Sequence, residues 1–310
     1  MTSPTDRRML LDTAGVYFRA FYSVPDTVVA PNGMPVGAVR GTLDAIARLV
    51  TEFEPTELVA CWDNDWRPQW RVDLIPSYKT HRVAEEIVVG PDVEVIPDPL
   101  SAQVPLIREV LTALGIPIVG AAEHEADDVI GTLASTANMA VDVVTGDRDL
   151  FQLIDDSRGV RVIYTGRGMS NLEVLTDVGL VAKYGVTPSQ YADFAAMRGD
   201  ASDGLPGVAG VGEKGAAALL AQYGDLDGIV AAAADPASAM TATQRAKFAA
   251  AAEYLAVAPA VVNVVRDLAL PEFDARIGVP VERAAERLAS EWGLASSMDR
   301  AIGALRQRAT

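Results

Sequence analysis

The stretch from Glu123 to Leu153, EHEADDVIGTLASTANMAVDVVTGDRDLFQL, holds seven carboxylates, and stability alone has little use for five of them. Glu125, Asp127 and Asp128 open an amphipathic helical pattern carried by Val129, Ile130, Leu133 and Ala134, and Asp147 and Asp149 follow the apolar run Val141 to Thr145. Negative charge at a helix N-terminus is favourable by roughly 0.3 to 1 kcal/mol per residue, so one or two acids suffice as a cap. Acids three apart on one helical face, as Glu125 and Asp128 are, repel each other unless a cation sits between them. In the second cluster Gly146 gives the chain a sharp exit from a strand, and Asp147 and Asp149 flank Arg148. Either cluster alone also fits a plain reading, a solvated charged helix end and an ordinary acidic turn. Two more strand exits tip the balance toward chemistry. Met9-Leu10-Leu11 runs straight into Asp12, and Leu58 to Trp62 runs straight into Asp63. Three apolar strands ending in Asp would place Asp12, Asp63 and Asp147 on one rim of a parallel sheet, facing the acidic helix start, at the carboxyl ends where ligands bind in open sheets. Hard divalent ions such as Mg2+ and Mn2+ take oxygen ligands, and sites for phosphate chemistry combine carboxylates with water.

The elements that must position these acids alternate along the chain. Strands are expected near 9–11, 57–63, 116–119, 141–145, 160–164 and 172–175, with helices at 36–53, closed by Pro55, and from about Ser101 to Leu114. That alternation predicts an α/β fold with a mostly parallel central sheet and helices on both faces. From Val178 onward the chain is rich in Ala and broken by glycine turns, which marks a second, all-helical module over 178–310 after a core over 1–177.

Composition narrows the chemistry. Half of the 310 residues are hydrophobic, enough for a large core. A lone Cys61 excludes a disulfide framework and any multi-cysteine zinc site, and His81 and His124 are too few for histidine-rich metal chemistry. No GxSxG elbow supports a serine triad. The first residues lack a signal peptide's apolar core and no charge-free run reaches membrane-spanning length, so a soluble cytoplasmic protein without a membrane partner is expected. The net charge of -16 argues against a general polyanion surface. Residues 1–184 carry 15 Lys and Arg against 27 Asp and Glu, and residues 185–310 carry 11 against 15, so any contact with a polyanion must be local and metal-assisted.

Two stretches offer such contacts. In DWRPQWRVDLIPSYKTHR, Trp66, Trp70 and Tyr78 interleave with Arg67, Arg71, Lys79 and Arg82, the composition of a surface where rings stack on bases and cations meet phosphates. Residues 83–107 then hold no Lys or Arg, but five acids (Glu85, Glu86, Asp92, Glu94 and Asp98) and four prolines, which predicts a mobile segment. Farther on, RGDASDGLPGVAGVGEKG places Asp200 and Asp203 before Gly207, Gly210 and Gly212 and a helix that starts near Glu213. As a P-loop the run fails, because Glu213 displaces the lysine to Lys214 and Gly215 stands where Ser or Thr should be. It reads instead as a helix-hairpin-helix at about 190–222, whose bare glycine amides and helix N-terminus meet backbone phosphate without reading sequence.

With these residues assembled, the chain resembles the bacterial and phage 5'-nuclease family, the flap endonucleases and 5'-3' exonucleases that also form the N-terminal domain of many bacterial DNA polymerases I. The likeness runs from about Met9 to about Ile229 through LLDTAGVYFRAFY, VACWDND, SYKTHR, EHEADDVIGTLA, VVTGDRDLFQL and KYGVTPSQYADFAAMRGDASDGLPGVAGVGEKGA. It implies a PIN-like sheet, a helical arch over about 65–107 and a hairpin module. It implies that Asp12, Asp63, Glu125, Asp127, Asp128, Asp147, Asp149, Asp200 and Asp203 hold two or three divalent ions, Mg2+ or Mn2+. It further implies that Lys79 and Arg82 reach the scissile phosphate, and that Arg19 and Tyr22 touch DNA near the cut. The glycine hairpin with Gly207, Gly210, Gly212 and Lys214 would bind duplex, around a monovalent cation such as K+. The expected activity is metal-dependent hydrolysis of DNA at 5' flaps, nicks and recessed 5' ends in replication and repair. The enzyme would be a stand-alone, nucleoid-associated monomer working beside a DNA polymerase or ligase. Trp62 where Phe is common, Gly204 in place of Asn, Gly215 in place of Thr or Ser, and a longer, more acidic arch depart from the family pattern. The rivals are a ribonuclease on a similar sheet, which the duplex-suited hairpin disfavours, and a non-catalytic DNA-structure binder, whose signature would be lost carboxylates.

Overall fold

A computed structural model describes residues 6–87 and 90–309. Its sheet holds β1 (Arg7–Asp12), β2 (Glu57–Cys61), β5 (Ile118–Val119), β6 (Ala140–Thr145), β7 (Val160–Tyr164) and β8 (Glu173–Leu175), in the order β5-β2-β1-β6-β7-β8. All neighbours are parallel except β8, which closes one edge antiparallel to β7. The central strands are apolar on both faces because helices cover both. Alternate residues serve opposite cores: Leu10, Val59 and Val143 pack with the helix Ala126–Thr136, while Met9, Leu11, Leu58 and Ala60 pack with the helices Gly37–Phe53 and Val104–Ala113.

The chain leaves β1 toward β2 on one side and returns as β6 on the other, so the strand order reverses at β1. The three strands expected to end in Asp are therefore adjacent. Asp12 lies level with Cys61, and Leu11 with Val144, so Asp63 and Asp147 each stand two residues beyond the level of Asp12 on either side.

Two expectations are corrected here. In the stretch 83–107, expected to carry five uncompensated acids, two of the acids are paired and part of the chain forms a β-hairpin. β3 (Val83–Glu85) pairs antiparallel with β4 (Val93–Glu94), Asp92 takes Arg67, and Glu94 takes Arg82. Trp66 Nε1 also donates to the Asp92 carbonyl at 2.7 Å. The cations come from just upstream, outside the window that looked purely acidic. Pro99 and Pro105 sit in the first turns of the helices Asp98–Ser101 and Val104–Ala113, where a missing N–H costs nothing, and Leu100 and Ile107 are fully buried.

The second correction concerns the C-terminus. The helices Glu282–Trp292 and Ala295–Arg308 do not stay with the hairpin module. Leu288, Leu294, Met298, Ala301 and Leu305 form an apolar stripe that shares one core with Leu43, Ile46, Leu49 and Val50 of the helix Gly37–Phe53. The chain returns along β2, where Leu58 N donates to Ala275 O at 2.8 Å and Ile277 N to Thr56 O at 3.0 Å. The helical module proper, with Tyr191–Arg198 and Glu213–Tyr223 around the glycine run, shares its core with the other face of the sheet. Among the described residues no helix is long and apolar enough to cross a membrane.

Candidate functional site

Each rim carboxylate is held by the element that presents it. Asp12 caps the helix Thr13–Ser23, taking Gly15 N at 2.9 Å through Oδ1 and the Thr145 hydroxyl at 2.9 Å through Oδ2. Asp63 Oδ1 accepts Ala126 N at 2.8 Å, which ties β2's exit to the start of the acidic helix. Asp147 N donates to Thr145 Oγ1 at 2.8 Å and its own Oδ1 accepts Asp149 N at 2.8 Å, so a tight turn sets both acids after β6. From the helical module, Asp200 caps its own turn through Ser202 N at 2.8 Å, and the Asp203 carbonyl accepts Lys79 N at 3.0 Å.

The electrostatics separate these acids into two classes. Burial raises the carboxyls of Asp12, Asp127, Asp147 and Asp149, and Asp147 beside Asp127 and Asp149 adds to it for those two. Burial also pushes Asp63 up to about 7, with Glu125 and Asp12 contributing, and Asp203 up to about 6. Glu125 goes the other way. Burial would raise it, but Lys79 and Arg71 outweigh that and hold it below its usual range. It takes Arg71 Nη1 at 3.0 Å, the Tyr78 hydroxyl at 2.6 Å and the Lys79 ammonium.

Asp128, expected among the ligands, is turned to another task. It is fully buried, and Arg71 meets it through Nη1 at 2.9 Å and Nη2 at 2.7 Å. Val265 N donates to the same Oδ1 at 2.9 Å and Glu125 N to Oδ2 at 3.3 Å. Its oxygens are thus committed to a capping box and to the strand-like segment after the helical module.

The remaining acids fit a hard cation in chemistry, though they are not drawn tight. Among the described residues Asp149 Oδ1 is buried without a hydrogen-bond partner, and several neighbours are desolvated carboxylates with little positive charge between them. Among the described residues no three Asp, Glu, His or Cys side chains converge into a ready-made ion cage.

Lys79 and Arg82 lie where the sequence places them, beside the acids, but each is engaged. Lys79 is buried in left-handed backbone (φ 48°), with its ammonium on Glu125 and on Trp66 O at 3.3 Å. Arg71 and Arg67 are buried as well, so three of the four expected strand-binding cations are internal and Arg82 keeps the most exposure. Arg19 and Tyr22 line a cavity of about 920 Å³ that opens from Asp12 and Asp147 between the helices Thr13–Ser23 and Gly37–Phe53. Tyr22 is 73% exposed, and the buried Arg19 Nε has no hydrogen-bond partner among the described residues.

In the hairpin, the glycines divide by role. Gly207 (φ 65°) lets its backbone press on Arg198 and Gly199, where a Cβ would stand 2.6 Å from Gly199 N. Gly212 opens the helix Glu213–Tyr223 and faces free space, next to the exposed Lys214. Gly210 O accepts the ammonium of Lys247 at 3.1 Å, a cation the sequence reading did not single out. Nor did it single out Thr145, a strand residue whose one polar atom signals nothing until Asp12 and Asp147 fold around it.

Two family models cover most of the chain: the 5'-3' exonuclease N-terminal resolvase-like domain matches residues 7–185, and the 5'-3' exonuclease C-terminal SAM fold matches 186–280. A 5'-3' exonuclease of Streptomyces coelicolor is 57% identical over 96% of this chain and 99% of its own length, and one of Mycobacterium tuberculosis is 48% identical over 96% and 97%. A DNA polymerase I of Mycobacterium tuberculosis is 42% identical over 72% of this chain but 24% of the polymerase. Among solved structures, the phage T5 5'-exonuclease with bound zinc ions superposes with a TM-score of 0.65 at 16% identity, covering 98% of this chain and 100% of that one. The Rad2 catalytic core in complex with DNA gives 0.63 at 16% identity, covering 97% and 93%. At that identity the two structures speak for the fold, and the sequence relatives speak for the family. With two family models in tandem and near full-length relatives at this identity, the chain belongs to the 5'-3' exonuclease family.

Proposed function

We propose that the protein is a structure-specific 5'-nuclease, cutting DNA at 5' flaps, nicks and recessed 5' ends with divalent ions held by Asp12, Asp63, Glu125, Asp127, Asp147, Asp149, Asp200 and Asp203. The observation that carries this reading is the orphaned Asp149 Oδ1 among buried carboxylates at the ends of adjacent parallel strands. Mg2+ or Mn2+ suits an all-oxygen donor set, and such ions, when bound, supply an activated water and stabilise the leaving oxygen.

The chain's own residues do the rest. Lys79 brings a positive charge into the cluster, where it adds stabilisation as charge develops on the phosphate. Arg82, 36% exposed at the cluster's edge, contacts the incoming strand. Arg19 and Tyr22 hold DNA in the cavity beside Asp12, Tyr22 by offering an exposed ring. Gly210, Gly212 and Lys214 grip duplex phosphates remote from the cut, while Gly207 keeps the hairpin's turn close to Arg198. A K+ ion at the hairpin gains less support, since Lys247 already serves the Gly210 carbonyl. Asp128 acts as a strut and not as a ligand.

The likeness to a DNA polymerase I segment favours work beside a polymerase, with ligation following removal of the flap. A monomer in the cytoplasm, at the nucleoid, suits that role. The test is a 5'-labelled flap duplex incubated with Mg2+ or Mn2+ and with EDTA. Release of the flap only with metal supports the reading. Preferential cleavage of single-stranded RNA would favour the ribonuclease, and flap binding without any cleavage would favour the DNA-structure binder.

A further inference from the structure

The β3–β4 hairpin brings an acid to an arginine that the proposed reaction needs. Arg82 Nε donates to Glu94 Oε1 at 2.9 Å and Nη2 reaches the same oxygen, while the guanidinium lies 5.4 Å from the Trp66 ring centre. A guanidinium edge that donates two N–H groups to a carboxylate can donate the same two to a phosphate.

The pair is not the hairpin's main fastening. Val95 N donates to Arg82 O at 2.7 Å at the hairpin's base, and Asp92 is pinned through its carbonyl by Trp66 and through its carboxylate by Arg67. Arg67 is almost wholly buried, whereas Arg82 keeps 36% exposure. Asp92 therefore builds the hairpin, and Glu94 has another use.

We propose that Glu94 is a built-in surrogate for a substrate phosphate, holding Arg82 beside the carboxylate rim until a DNA strand displaces it. The proposal rests on the reading of Arg82 as a phosphate contact. It makes Glu94 a specificity-determining residue: a strand that presents one weak phosphate contact does not free Arg82, and a strand anchored elsewhere on the protein does. The pair lies at the protein's edge, with Arg82 36% and Glu94 16% exposed, so a strand already anchored can reach the guanidinium and take the acid's place.

Binding of a fluorescent 5'-flap duplex to the full chain in EDTA, read by anisotropy at low salt, tests it. Glu94→Gln should tighten binding by about 3- to 10-fold, while Glu85→Gln, on the same hairpin, should change it by less than about 2-fold. In an Arg82→Ala background the gain from Glu94→Gln should vanish, the mark of a pairwise coupling. Equal gains from Glu94→Gln and Glu85→Gln, or a gain that persists without Arg82, would mean generic charge removal and overturn the proposal. A loss of affinity in Glu94→Gln would overturn it too. If Arg82→Ala weakens binding while Glu94→Gln changes nothing, only the surrogate role fails. If Arg82→Ala binds like the parent, the phosphate reading of Arg82 fails with it.

Discussion

Arg71 grips Asp128 through two parallel contacts of 2.9 and 2.7 Å, out of reach of solvent, on the same short helical turn that carries Glu125. A carboxylate so committed has little left for an ion. Removing one partner of a buried pair costs about 3 to 5 kcal/mol, because the other charge is left uncompensated. Asp128→Asn is therefore expected to lower unfolding stability by about that amount, with any loss of cleavage following from it. Asp149→Asn should leave the metal-free protein as stable as the parent, or more so, and abolish cleavage while flap binding survives. Urea unfolding in EDTA separates the two, and an Asp128→Asn protein that unfolds like the parent yet fails to cut would restore Asp128 to the ligand set.

Stability without metal should fall as pH rises. Asp63, pushed up to about 7, and Asp203, pushed up to about 6, stay protonated in the folded state at pH values where the unfolded chain has already ionised. The folded state thus binds more protons between about pH 4 and pH 7, and its advantage is lost as pH climbs through that window. Glu125 is shifted the opposite way and adds no slope there. Melting in EDTA should occur at lower temperature at pH 8 than at pH 5.5. Asp63→Asn should flatten the decline and raise the melting temperature at pH 8 by ~2 °C or more. Added Mg2+ should stabilise more at pH 8 than at pH 5.5. A pH-independent melting temperature in EDTA would contradict the charge balance described for the rim.

Lys79 separates binding from chemistry. Its ammonium lies on Glu125 inside the cluster, and the side chain is buried. Lys79→Ala is expected to slow single-turnover cleavage at saturating DNA by about 100-fold or more, the scale of losing one preorganised donor, with little change in affinity. An intact single-turnover rate with only a raised Kd would make Lys79 a positioning contact.

The hairpin should respond to substitution by position. Lys214→Ala is expected to weaken binding equally across sequences and to lower the salt slope by about 1. Gly207→Ala forces a Cβ onto the Arg198–Gly199 backbone from left-handed φ, and should cost about 1 to 3 kcal/mol of stability. Gly212→Ala, with open space around it and φ of -98°, should leave stability unchanged. Measuring unfolding and flap affinity for all three shows whether the hairpin's fold and its grip are separable; equal destabilisation by both glycine variants would contradict the division.

The rim was legible because its signal is local: an apolar strand that runs into Asp needs no tertiary knowledge to be noticed, and Asp12, Asp63 and Asp147 stand at or just beyond the ends of adjacent strands. Arg71 was misread for the opposite reason. In a stretch with Trp66 and Trp70 it looks like a surface cation, and only the packed helix Ala126–Thr136 turns it into a buried strut for Asp128. The acidic hairpin was misjudged because its cations, Arg67 and Arg82, lie just before the acidic window. The apolar stripe of 282–308 is visible in sequence, but what it covers depends on which helix face lies free across the molecule, and that was the helix Gly37–Phe53.

The most direct measurement is single-turnover cleavage of one 5'-flap duplex at saturating protein while Mg2+ is titrated, for the parent chain and for Asp149→Asn. Metal-dependent hydrolysis at the rim requires no cleavage in EDTA, a rate that rises and saturates with Mg2+ in the parent, and a loss of at least about 100-fold in Asp149→Asn with flap affinity in EDTA preserved. Cleavage at the parent rate in EDTA, or an Asp149→Asn protein that cuts as fast as the parent across the titration, would contradict it.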